Sequence, residues 1–231
     1  MTSWPQRAVT STRRALQGEA NADRAEEMAK YMKYVAPFLG IPSGPRRLAL
    51  KAQWRVLEAP TSEELGEACL ALMNLREREY HYAASDLIEK FCDLADEYFL
   101  VEYVEDLLTT KSWWDTVDGF GSTAVSPLCR RYDATDLVLA WSDSSNIWLN
   151  RAAIQHQRGW KNETDIPFVL RICDAHSIQR EFFVAKAIGW ALRDLARLDP
   201  SAVRRFLSTH PNLNAVALRE ARRGLKELST R

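Results

Sequence analysis

Paired tryptophans are uncommon, and the segment Lys111-Ser112-Trp113-Trp114-Asp115-Thr116-Val117-Asp118 follows such a pair with two carboxylates. On a helix, Trp114 and Asp118 are one turn apart and project from the same face. An indole beside a carboxylate makes a poor core pair but a good seat for positive charge, because the ring quadrupole and the anion both attract a cation. The same spacing also fits a core tryptophan with Asp118 capping a neighbouring helix. Two further strings carry cations. Arg151, in Asn146-Ile147-Trp148-Leu149-Asn150-Arg151-Ala152-Ala153-Ile154, lies three residues past an aromatic, as Lys186 does past Phe183. Lys186, Trp190 and Arg193 fall at i, i+4 and i+7, one stripe of a helix. Cations aligned in this way suit a phosphate track, although unrelated surface charges would give the same pattern.

Other chemistries lack their residues. Cys69, Cys92, Cys129 and Cys173 contain no CxxC pair, and His81, His156, His176 and His210 are scattered with no HExxH-type spacing. Neither a metal nor any other cofactor is therefore expected. Thiols set among apolar neighbours point to a reducing compartment. No lysine shares a helix face with Trp114 and Asp118, so a Schiff-base lyase step is not expected.

These residues need elements to position them, and helical periodicity dominates the chain. Gly and Pro number only 9 each in 231 residues, hydrophobic residues make up 46% and charged residues 27%. That composition is globular, poor in turns, and without an apolar run long enough to span a membrane. Asn21 should cap a helix, FLGIPSGP (38–45) is the clearest break, and Thr61 with Glu64 opens the next helix. Further helices are expected over 46–58, 76–93, 97–109, 113–130, 134–142, 145–158, 165–175, 179–197, 200–208 and 214–228. Residues 1–18 carry three arginines and no acid; they read either as a first helix or tail, or faintly as a transit segment.

Aromatics at Tyr80, Trp114, Trp148 and Phe183 recur every 34 or 35 residues, the length of a helical-hairpin repeat. The expected fold is all-α: an α-solenoid of about six hairpins in a single domain over 1–231, forming a curved slab with a concave face. Formal charge balances at 31 basic against 31 acidic residues, but unevenly. Residues 1–115 carry 14 basic and 19 acidic side chains, and residues 116–231 carry 17 and 12. An anionic partner met by one part of the molecule fits this distribution.

The strings MAKYMK, FLGI, TTKSWWDTVD, NIWLNRAAI and EFFVAKAIGWALRDLARLDP resemble those of the AlkD-type DNA alkylation repair enzymes, DNA glycosylases built from HEAT-like repeats. The likeness runs collinearly over roughly residues 20 to 225. It implies Trp114, Asp118 and Arg151 as the excision site, with Trp190 packed against the damaged nucleotide's sugar. Lys186, Arg193 and Lys111 would be further DNA contacts. The implied activity is monofunctional hydrolysis of the N-glycosidic bond of cationic N3- or N7-alkylated purines in double-stranded DNA, without a base-flipping pocket. A monomer in a bacterial cytosol, without metal or membrane, would carry it out. Pro42, after FLGI, departs from a polar residue found there in the family, and affects the N-terminal DNA contact rather than the chemistry. The competing expectation is a non-catalytic helical-repeat module that binds DNA or a protein through its concave face and does not require Asp118.

Overall fold

The computed structural model describes residues 2–227, and all regular structure among them is helical. The helices gather into two compact units, residues 1–124 and 125–231. The first unit contains α1 (Trp4–Gln17), α2 (Ala22–Tyr31), α3 (Ser43–Gln53), α4 (Ser62–Asn74), α5 (Arg78–Lys90), α6 (Glu97–Glu102), α7 (Val104–Thr109) and α8 (Trp114–Phe120). The second contains α9 (Ser126–Arg131), α10 (Thr135–Asp143), α11 (Ile147–Gln155), α12 (Ile166–Ala175), α13 (Phe182–Ala196), α14 (Pro200–Thr209) and α15 (Ala215–Glu227). Residue 228, the last of the expected C-terminal helix, lies outside the described residues.

Local chemistry sets the boundaries. Ser3 and Gln6 form a capping box at α1, Asn21 accepts from the Arg24 amide at α2, and Thr61 with Glu64 forms a second box at α4. The arginine-bearing N-terminal stretch is thus an integral helix, and Trp4 is buried with its indole N–H donating to Glu58 O at 2.9 Å. The helix expected over 97–109 breaks at Tyr103, whose ring lies over Gly66 of α4; any Cβ at Gly66 would come within 2.4 Å of it. The helix expected over 113–130 is interrupted by a π turn at Gly121–Val125.

Each unit has its own core. In the first, Leu16, Leu65, Leu72, Met73, Leu87 and Phe99 are fully buried; in the second, Trp141, Val184, Leu192 and Val203 are. Within the units, side-chain bonds repeatedly join residues 34 apart. Ser62 pairs with Asp96 at 2.6 Å, Ser142 with His176 at 3.0 Å, and the Trp160 indole with Ser126 O at 3.1 Å. Equivalent positions one repeat apart are neighbours, as stacked hairpins require.

Candidate functional site

The start of α8 rests on one buried guanidinium. Arg78 is 1% exposed and donates to both carboxylate oxygens of Asp115, at 3.1 Å from Nε and 2.5 Å from Nη2. It also donates to Lys111 O at 2.8 Å and Thr116 Oγ1 at 3.1 Å, and lies 3.3 Å from His81 Nδ1. Tyr82 donates its hydroxyl to Asp115 Oδ2 at 2.5 Å. A buried ion pair is tolerable only when its remaining polar atoms are satisfied, and this network meets that condition. Burial pushes the His81 pKa down to about 4, so the ring is neutral at pH 7. Burial and then the Asp115 charge raise the Tyr82 hydroxyl pKa.

Trp114 is the first residue of α8 and Asp118 lies one turn on; both are half-buried. Trp114 packs partly against Ala29, Met32 and Phe38, so it is both a core contact and an accessible ring. The π turn begins three residues after Asp118; such turns are frequent at functional sites. Lys111, an exposed residue, directs its ammonium to Asn74 O at 3.0 Å and Leu75 O at 2.5 Å, the end of α4. Desolvation there, followed by the adjacent Arg78 charge, lowers its pKa.

The loop before α3 is held by a buried acid. Glu79 is 0% exposed and accepts from the backbone N–H groups of Leu39, Gly40 and Ile41 at 2.8, 2.8 and 3.0 Å. Gly40 has φ +85, and a Cβ there would meet Asn21 O at 2.0 Å. Pro42 is exposed and immediately precedes α3, without a side-chain cap bond.

In the second unit, Arg151 is 1% exposed; its Nη1 donates to Phe183 O at 2.5 Å, and its guanidinium carbon stands 4.9 Å from the Trp190 ring centre. Arg158 and Lys186 lie 5.2 and 5.6 Å from the same half-buried ring. Lys186 and Arg193 both bind the buried Glu220 of α15, at 2.7 and 2.9 Å. The hydrogen bond from Lys186 and the charges of Lys186, Arg193 and Arg223 hold the Glu220 pKa below the usual carboxylate range. Gly189 permits this approach, since a Cβ there would come 2.8 Å from Glu220 Cβ. The two cations expected on a phosphate track therefore lace α13 to α15. Sequence spacing gave no sign of Glu220 or Arg78, whose ion-pair partners lie 27 to 37 residues away.

Among the described residues no group of three His, Cys, Asp or Glu side chains could hold a metal, and no helix is long and apolar enough to cross a membrane. Burial raises the thiol pKa of Cys69, Cys129 and Cys173.

The family model for DNA alkylation repair enzymes matches residues 12–225. This chain belongs to that family. A solved structure, a predicted DNA alkylation repair enzyme from Enterococcus faecalis, is similar at 28% identity and a TM-score of 0.78, covering 87% of this chain and 94% of that one. No curated protein sequence matches this one.

Proposed function

We propose that the protein is a monofunctional DNA glycosylase that hydrolyses the N-glycosidic bond of cationic N3- or N7-alkylated purines in duplex DNA, as a monomer in the bacterial cytosol and without a base-flipping pocket. The observation that carries this reading is α8: a half-buried tryptophan and an aspartate one turn apart, on a helix whose other nearby acid, Asp115, is committed to Arg78. Alkylation at N3 or N7 makes the base cationic, so it departs neutral and needs little protonation. The positive charge then develops on the sugar. Asp118 would stabilise that oxocarbenium and orient the attacking water, while the faces of Trp114 and Trp190 would share in holding the cationic ring.

Arg151 takes a modified part in this reading. With its guanidinium against Trp190 and on the Phe183 carbonyl, its first role is to fix the indole, and a phosphate contact would come on top of that. The direct test is release of 7-methylguanine from duplex DNA, followed by cleavage at the resulting abasic site. Binding without release would favour a non-catalytic DNA-binding module.

A further inference from the structure

Arg78 and Glu79 are adjacent at the start of α5, and both are buried. Arg78 holds Asp115, the residue after Trp114, and so fixes the helix that carries the ring. Glu79 serves a different segment. Its Oε2 accepts from the Leu39 amide, and its Oε1 from the amides of Gly40 and Ile41. Among the described residues it forms no ion pair, so three backbone dipoles meet its charge. Hydrogen bonds to an ionised acceptor are roughly twice as strong as neutral ones.

The same segment is tied at two further points. Pro37 O accepts from the Arg78 amide at 2.9 Å, and Leu39 O accepts from the Asn21 amide at 2.8 Å. Between these ties sits Phe38, 8% exposed. With Ala29 and Met32 of α2 it forms the buried cluster against which Tyr82, Trp113 and Trp114 pack. The Phe38 ring centre lies 6.4 Å from that of Tyr82, whose hydroxyl donates to Asp115. One dipeptide therefore holds both the helix of Trp114 and the apolar wall behind it.

We propose that Glu79 is a positioning residue for excision: by fixing Leu39–Ile41 it seats Phe38 in that wall and so sets the attitude of the Trp114 indole toward the sugar. The proposal rests on the glycosylase reading above. Glu79 is closed off from solvent and acts only through Phe38. Bulk stability alone does not call for a buried charge, which is costly to desolvate. What the carboxylate supplies is direction. Three amides converging on two oxygens admit one register of the segment, and a slip of one residue would take Phe38 out of the cluster. Groups around a reacting centre must be held to within about 0.5 Å by such supports.

The experiment uses the full chain labelled with 5-fluorotryptophan, the Trp114 ¹⁹F resonance being assigned with Trp114→Phe. Glu79→Gln keeps the size of the side chain but turns an NH₂ donor toward one of the three amides. The Trp114 resonance should move, while those of Trp141 and Trp160 in the second unit stay in place. Single-turnover release of 7-methylguanine should slow roughly 10- to 100-fold, the cost of a misplacement of about 1 Å. Reaction amplitude and affinity for undamaged duplex should hold. If Glu79→Gln does not fold, Phe38→Leu carries the same two expectations without touching the carboxylate. Leu16→Val, a core change on α1, should leave both readouts unchanged. A lower unfolding midpoint or reduced amplitude, with the rate constant and the Trp114 resonance unaltered, would mean a merely structural role and overturns the proposal. Equal effects from Leu16→Val overturn it as well. If the unmodified protein releases no base, the glycosylase reading fails, and the Trp114 resonance alone decides whether Glu79 sets the ring.

Discussion

Asp118 and Arg151 are both charged, and each asks for a different experiment. Asp118→Asn keeps the shape of the side chain and removes the charge that would face the oxocarbenium. Loss of one preorganised electrostatic group costs roughly 10²–10³ in rate, while duplex affinity should hold, because a carboxylate near phosphates does not aid binding. Single-turnover excision at full or near-full rate in this variant would sink the assigned mechanism. Arg151 is a different case. Spacing alone places it beside Lys186 on a phosphate track, yet it is buried against the Trp190 ring and the Phe183 carbonyl. Arg151→Ala should therefore lower stability by about 1.5–3 kcal/mol, the worth of hydrogen bonds to a charged group. It should also slow excision and leave the salt dependence of binding to undamaged duplex unchanged. A salt slope reduced by about one phosphate contact would return it to the track.

The helix that carries Trp114 and Asp118 is seven residues long, too short to form by itself. Its position depends on the Arg78–Asp115 pair. Arg78→Ala leaves the Asp115 charge buried without its partner, a loss of about 3–5 kcal/mol in unfolding free energy. Removing Asp115 as well should recover much of this, so a double-mutant cycle in denaturant reads the coupling directly. If Arg78→Ala proved neutral, the network would not be what fixes α8. The sequence made the caps at Asn21 and Thr61 legible, because their partners lie three residues away. It also made the 34-residue period and the Trp114/Asp118 helix legible. The break at Tyr103 and the capture of Lys186 and Arg193 by Glu220 were not legible. Tyr103 answers to Gly66 and Glu220 to α13, and no periodicity within a single helix reports a partner a whole repeat away. Arg78 was hidden for a related reason. It sits in the charged run Arg76-Glu77-Arg78-Glu79, which looks like a solvated surface, yet Arg78 and Glu79 are both buried.

Across the whole molecule, the question is which leaving groups such a protein could expel. A neutral lesion such as hypoxanthine departs only if something protonates it or hydrogen-bonds to it, and an efficient general acid has a pKa near the working pH. The described groups with displaced pKa values are not tuned that way. Burial drives His81 and His156 down to about 4, which leaves both rings neutral at pH 7 with no proton to give. Burial lowers His176 as well. The Tyr82 hydroxyl is raised and already donates to Asp115, whose carboxylate is held by Arg78. In the proposed reading the Asp118 carboxylate serves the sugar rather than the departing base. On the proposed reading, the chemistry left is expulsion of bases that carry their own positive charge. Release of 7-methylguanine and 3-methyladenine is expected, with no detectable release of hypoxanthine in parallel assays at one enzyme concentration. The cationic substrates should also show no acid-requiring limb between pH 6 and 8, since a base that leaves neutral needs no proton from the protein. Comparable rates on hypoxanthine, or a rate that climbs as pH falls through that window, would mean that a proton donor acts on the leaving base and that the charge-driven mechanism is wrong.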